Sequence, residues 1–337
     1  MSILFFTGFP GFLGRELLPR LLTRHPDRRA VCLIQGRYRA QAEEARLALG
    51  QREPRLPERI ELVEGDITEV DLGLSAEVRT GLYRDTVEVY HLAAVYDLAV
   101  GRHLAHRVNV DGTSHVLDFC EGCTSLGRLH YVSTCFVSGR YAGPFSEDDL
   151  QLGQRFNNHY EETKHLAEVE VRRRASRIRT TVYRPAVVVG DSKSGATQKY
   201  DGPYYAIRFL LRQRGPIAAV PMVGDPSAVR LNVVPRDFVV DAITHLSQRE
   251  ESAGVTYQLA DPQPLTIEEQ VAAMERAVGK KLWRIHVPLS WAKTAIDRVP
   301  GVRGLMGFPS HAIDYYVHPT HYLTAYAQRD LAPAGIH

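Results

Sequence analysis

Short apolar runs alternate with amphipathic stretches through the first half of the chain. Ser2–Thr7 is the first run, and Arg15–Thr23 behind it carries leucines at 17, 18, 21 and 22, the stripe of a helix that buries one face. Ala30–Ile34, Ile60–Val63, Val87–His91, His130–Ser133 and Arg179–Arg184 are further runs of strand length. A polar helix runs to Leu49 after the second of them, and a long amphipathic segment holds Val108–Thr113. Strand and helix in alternation predict an α/β fold with a doubly wound, Rossmann-like parallel sheet. In the second half the pattern loosens. Gly190–Gln198 is small and polar, a loop, and Tyr204–Leu211 crowds aromatic and aliphatic residues onto one helix. Asn232–Val234 and Val255–Leu259 return to strand, with Asp237–Leu246 helical between them; Thr266–Val278 is helical, with Glu268 and Glu269 near its start. Leu289–Met306 is an amphipathic stretch broken by Pro300, suited to core packing, a substrate lid or a membrane-surface contact. The division expected is a dinucleotide-binding domain from 1–184 and 232–262, with a smaller, discontinuous C-terminal substrate region from 185–231 and 263–337.

Composition narrows the function. The 337 residues are 44% hydrophobic, enough for a full core, and 41 basic against 39 acidic residues leave a net charge of +2, with no bulk field for nucleic acid. No uncharged run of membrane-spanning length occurs and the N-terminus enters a glycine-rich motif at once, so a cytoplasmic protein is expected. Cys120 and Cys123 form a lone C-x-x-C without further ligands of suitable spacing, so reduced thiols and no metal are expected, with Cys32 and Cys135 likewise.

The first run ends at Gly8-Phe9-Pro10-Gly11-Phe12-Leu13-Gly14, and strand, glycine turn and helix are the context of a dinucleotide fingerprint. Gly8 permits the turn, Gly11 lets backbone approach a pyrophosphate, and Gly14 lets helix lie on strand, with the helix N-terminus facing the phosphates. At the end of the second run a cofactor with a free ribose 2′-hydroxyl calls for an acid, and one with a 2′-phosphate for arginine. The sequence has Gln35, Arg37 and Arg39 there, which favours NADP(H). Asp66 either accepts from an adenine amino group or caps the next turn. The small residues after His91, Ala93 among them, leave room for a flat cofactor, and Asn109-x-x-Gly112 within a helix predicts a local backbone adjustment.

The chemistry centres on Tyr160 and Lys164, four apart and so on one helical face. A phenol is a poor proton shuttle at neutral pH unless a fixed positive charge steadies its phenolate. Only six of the 41 cationic residues are lysine, and Lys164 is the first in the chain, where arginine would serve any purely structural need. Ser133 and Thr134, at the end of the fifth run, reach the same sheet edge.

In this order Thr7-Gly-x-x-Gly-x-x-Gly14, Gly65-Asp66, His91-Leu-Ala-Ala94, Asn109-Val-x-Gly-Thr113, Val132-Ser-Thr134, Tyr160-x-x-x-Lys164 and Arg184-Pro185 resemble the extended short-chain dehydrogenase/reductase superfamily. His91–Asp97, Asp201–Tyr205 and Arg230–Val240 look like the reductase domain of bacterial fatty acyl-CoA reductases, related to male-sterility-type and carboxylic acid reductases. The resemblance implies catalytic Thr134, Tyr160 and Lys164, and cofactor contacts from Gly8, Gly11, Phe12, Leu13, Gly14, Arg37, Asp66, Ala93, Asn109 and Lys164. It also implies NADPH as cofactor, an acyl or aldehyde substrate, and CoA or acyl carrier protein as the acyl carrier. Arg236 departs from it, standing where a small apolar residue belongs. The rival expectations are a nucleotide-sugar epimerase or dehydratase on the same scaffold and a non-catalytic NADP-sensing regulator.

Overall fold

Successive side chains of the first strand point to opposite faces, and each face finds its own helices. The computed structural model describes residues 1–200, 202–299 and 310–337. Strands β1 (Ile3–Thr7), β2 (Arg29–Ile34), β3 (Ile60–Glu64), β4 (Thr86–His91), β5 (Arg128–Val132), β7 (Thr180–Pro185) and β11 (Thr256–Leu259) form one parallel sheet in the order β11-β7-β5-β4-β1-β2-β3. The helices between them are α1 (Gly14–Arg24), α2 (Arg39–Leu49), α3 (Ala76–Asp85), α4 (Arg102–His106), α5 (Gly112–Gly122), α6 (His159–Arg173) and, before β11, α8 (Arg236–Leu246). Leu4 and Phe6 meet the leucines of α1 and the apolar faces of α2 and α8. Ile3 and Phe5 meet Leu82 of α3, Phe119 of α5 and Val171 of α6, with the Phe5 and Phe119 rings stacked 4.4 Å apart. Burying such a side chain contributes roughly 1.5–3 kcal/mol, so a sheet covered on both faces accounts for apolar runs without alternation. The doubly wound expectation holds.

The remaining strands form three two-stranded parallel pairs: β6 (Gly143–Phe145) with β13 (Thr320–Tyr322), β8 (Val187–Val189) with β10 (Val233–Pro235), and β9 (Ile217–Met222) with β12 (Lys281–His286). The run at Asn232–Val234 therefore joins β8 outside the main sheet. Helices α7 (Pro203–Arg212), α9 (Ile267–Val278) and α10 (Leu289–Arg298) belong to this part. Leu210, Val220, Met222, Ile267, Val271 and Leu282 form a third core, which Phe136 enters from beside Thr134. Within the stretch 263–337, the end lies on the sheet: Tyr322, Ala327 and Leu331 join the core of Phe145 and Tyr257. There the buried carboxylate of Glu147 accepts from the N–H groups of Gln258, Tyr326 and Ala327, capping the helix Ala325–Leu331. Of the broken stretch Leu289–Met306, residues 300–306 lie outside the described residues, as does Asp201. Among the described residues no helix is long and apolar enough to cross a membrane.

Candidate active site

The glycine turn closes on itself. Gly8 has φ +94°, and a Cβ there would meet Leu92 and Ala93 at 2.9 Å; a Cβ at Gly11 or Gly14 would stand 2.7 or 2.6 Å from the Gly8 carbonyl oxygen. That carbonyl accepts the Gly11 N–H at 2.8 Å, while the N–H groups of Phe12, Leu13 and Gly14 have no backbone acceptor among the described residues. Three free donors at the N-terminus of an eleven-residue helix suit a diphosphate, so the turn fits a dinucleotide.

Beyond the end of β2, the two arginines separate. Arg39 pairs with Glu64 at 3.1 Å, whereas Arg37 lies over the Tyr38 ring at 4.8 Å and makes no ion pair among the described residues. Asp66 accepts from Gln35 at 2.7 Å and from the Thr68 N–H at 2.9 Å, so the turn-capping role is present.

Around the start of α6 the candidate catalytic residues are densely bonded. Asn158 starts α6 by accepting the Glu161 N–H at 3.0 Å, and the Glu161 carboxylate reaches back to the Asn157 N–H at 2.8 Å; Tyr160 therefore falls in the first turn, at the sheet edge. Burial raises the Tyr160 phenol to about 12, against the hydrogen bond of Thr134, so it keeps its proton through neutral pH. Thr134 is itself buried, with its hydroxyl 3.4 Å from the Pro185 carbonyl oxygen. Lys164, on the same helical face, donates to the Tyr131 hydroxyl at 3.0 Å and the Val132 carbonyl at 2.9 Å. Burial lowers it to about 7, with Glu168 opposing. The expected steadying of Tyr160 by Lys164 is thus not what this arrangement shows: the ammonium takes two acceptors on β5, and burial dominates the phenol.

Two networks hold these residues. Glu168, one turn beyond Lys164, pairs with Arg184 at 2.6 Å, both fully buried, and accepts from Ser133 at 2.6 Å. The ends of β5 and β7 are thereby bolted to α6. On the other side Ala93 N–H donates to Thr7, Thr7 to His91 Nδ1 at 2.7 Å, His91 Nε2 to Thr113 at 3.1 Å, and Thr113 to the Asn109 carbonyl at 2.6 Å. The Thr113 hydroxyl proton is committed to Asn109, which assigns the His91 proton to Nε2. Burial first, then the Lys164 charge, lowers His91 to about 3, and it stays neutral. The Asn109 side chain clamps Val95 through both its amide atoms and donates to Thr163 on α6 at 3.0 Å. The adjustment expected at Asn109-x-x-Gly112 is a π turn over Arg107–Asp111.

Thr134, Tyr160, Lys164, Asn109 and Ala93 are thus gathered around the ends of β4 and β5, with the glycine turn after β1, while Arg37 and Asp66 lie beyond the ends of β2 and β3. Sequence reading missed Tyr131, the Glu168–Arg184 pair, and Tyr315, which the Asn158 amide meets at 2.9 Å. The spacing Lys164, Glu168, Arg172 was the visible signal for the second. It also missed Lys199, whose ammonium stands 3.4 Å from the Tyr96 ring centre and 5.6 Å from that of Phe12. His318 is buried and bonds Tyr322 at 2.8 Å, in keeping with packing.

A family model described as male sterility protein matches residues 6–243, more than half of the chain. The chain belongs to the male sterility protein family. It is an NAD(P)-dependent oxidoreductase of the extended short-chain dehydrogenase/reductase type. A linear gramicidin synthase of Brevibacillus parabrevis is 31% identical over 83% of this chain and 6% of its own length. Fatty acyl-CoA reductase 1 of Gallus gallus is 26% identical over 58% of this chain and 46% of its own. This chain therefore spans less than half the length of either curated relative. The crystal structure of the terminal R domain from the myxalamid PKS-NRPS biosynthetic pathway superposes with a TM-score of 0.82 at 28% identity, covering 100% of this chain and 86% of that one.

Proposed function

We propose that this family member is an NADPH-dependent reductase of an acyl thioester, or of the aldehyde made from it, with a long fatty acyl chain carried on CoA or on an acyl carrier protein. The observation that carries the reading is the pair of hydroxyls of the buried Thr134 and the half-buried Tyr160, at the sheet edge beside a dinucleotide turn. Gly8, Gly11, Phe12, Leu13 and Gly14 would hold the diphosphate, Arg37 the 2′-phosphate, Asp66 the adenine, and Ala93, Asn109 and Lys164 the nicotinamide end. Bound there, NADPH supplies a hydride to the carbonyl carbon. Tyr160, neutral up to about 12, gives its proton to the substrate oxygen as charge develops on it, and Thr134 hydrogen-bonds that oxygen. From a thioester the product of this step is a hemithioacetal, which expels the thiol to leave an aldehyde; a second round makes the alcohol. The chain would divide as the sequence suggests, with 185–231 and much of 263–337 around the substrate. The third core, reaching from Phe136 into α7 and α9, provides the apolar wall that an acyl chain needs.

The test is NADPH oxidation across acyl-CoAs and aldehydes of increasing length, below their micelle concentrations, with UDP-sugars alongside and products identified by mass spectrometry. Each buried methylene is worth about 0.8 kcal/mol, so apparent affinity should rise roughly fourfold per CH₂ until the channel is full. A flat response, or turnover of a UDP-sugar with retained NAD, would replace this reading with the epimerase one.

A further inference from the structure

Arg236 opens α8, and 8% of its surface is exposed. Its guanidinium carbon lies 5.2 Å from the centre of the Phe12 ring, within the glycine turn. Its backbone N–H is satisfied by the Gly190 carbonyl, but its side chain makes no hydrogen bond among the described residues. The nearest carboxylate is Glu16 of α1, at 3.9 Å, and that group is already bonded by Arg52 at 3.0 and 3.2 Å and by Arg20 at 3.4 Å. One carboxylate therefore faces three arginines, of which Arg20 has Asp241 as a second partner at 3.1 Å, and nine-tenths buried Arg236 is left with Glu16 at 3.9 Å and no hydrogen-bond acceptor among the described residues. A buried charge in that condition is costly until an anion meets it. Arg15, the residue after Gly14, likewise keeps a buried Nε without an acceptor. Both stand at the turn whose Phe12, Leu13 and Gly14 N–H groups are open.

We infer that Arg236 completes a diphosphate site at the N-terminus of α1, filled by the pyrophosphate of the nicotinamide dinucleotide. The inference rests on the dinucleotide reading of the cleft and adds a residue that the family pattern does not supply. It places Arg236 on the cofactor side. The shared chemistry is a diphosphate, which NADPH, NADH and CoA all carry, and contact with Phe12 and Glu16 favours the first two. Arg37 reads what distinguishes NADPH from NADH, whereas Arg236 reads what they have in common.

The experiment is calorimetric titration of NADPH, NADH and CoA into the wild-type chain, Arg236→Met, Arg236→Lys and Glu16→Gln, with melting curves for each. Arg236→Met keeps the buried stem and should weaken NADPH and NADH by the same factor, roughly tenfold to a hundredfold for a lost charge-assisted bond, leaving CoA unchanged. Arg236→Lys should fall between, and Glu16→Gln, by removing the counter-charge, should tighten both cofactors. Should Arg236→Met fail to fold, the opposite movements of Arg236→Lys and Glu16→Gln decide. Wild-type binding of both cofactors with no change in the variants overturns the inference and leaves the dinucleotide reading intact; weakening of CoA alone assigns the arginine to the thioester carrier and overturns it as well. No cofactor binding by the wild type would remove both.

Discussion

The two ends of the cofactor cleft are built in opposite ways. Around α6, Lys164, Glu168 and Arg184 are buried and His91, Thr113 and Asn109 are hydrogen-bonded into one continuous chain. After β2, Arg37 and Tyr38 are exposed, and the ion pair nearest them, Arg39 with Glu64, is more than half exposed on both sides. Under the proposed function, reaction geometry would be over-determined at one end and cofactor choice left to solvent-facing side chains at the other. Substitutions in the first region should therefore cost chemistry or stability, and those in the second should change selectivity alone.

The largest effect expected is at Tyr160. Tyr160→Phe keeps the ring and removes the proton, so single-turnover hydride transfer should fall by roughly 10² to 10⁴ while NADPH still binds. Substantial residual turnover would mean that another acid serves. Next comes the ion pair behind it: Arg184→Met leaves the buried Glu168 carboxylate with only Arg172 at 3.4 Å and the Ser133 hydroxyl and should cost about 3–5 kcal/mol in urea unfolding. A loss under about 1 kcal/mol would show that the catalytic end is less rigidly specified than its hydrogen bonds imply. At the other end Arg37→Ala should weaken NADPH by about 1.5–3 kcal/mol and leave NADH and the melting temperature nearly unchanged. Equal affinity of the wild type for the two cofactors would break the contrast.

The last effect expected is a pH dependence. Burial lowers Lys164 from 10.5 to about 7, so between those values the folded protein binds fewer protons than the unfolded one and its stability rises with pH. The cost of the buried ammonium is whole below that window and gone above it. Lys164→Met should accordingly show its largest gain in melting temperature over the wild type near pH 6, shrinking as the pH approaches 10. A gain independent of pH would place the lysine's charge elsewhere.

Much of this was legible in the sequence. All seven strands of the sheet were read from short runs rich in apolar residues, and Asn109-x-x-Gly112 signalled a local backbone adjustment, which is a π turn, because glycine in a helix marks a departure from it. Thr134, Tyr160 and Lys164 could be picked out as candidates because the proposed chemistry needs particular side chains at fixed spacing. The partner of Lys164 was not: Tyr131 sits within an apolar run, where a tyrosine reads as core. The pair of β6 and β13 escaped because three-residue strands, 177 positions apart from Gly143 to Thr320, leave no periodicity to detect. The position of Arg236 against Phe12 is likewise a long-range fact that local pattern does not encode.

The cap that Glu147 places on the helix Ala325–Leu331 has a consequence for synthesis. The carboxylate leaves the ribosome well before the two N–H groups of Tyr326 and Ala327 that it accepts, and Tyr257 waits equally for Asp330, its partner at 2.7 Å. Strand β11, at the rim of the sheet, shares one core with Ala327 and Leu331 through its Tyr257 and Leu259. A nascent chain halted before Tyr326 leaves that rim strand without this packing, open to chaperones or to its own kind, so the helix Ala325–Leu331 helps guard the sheet against mispairing.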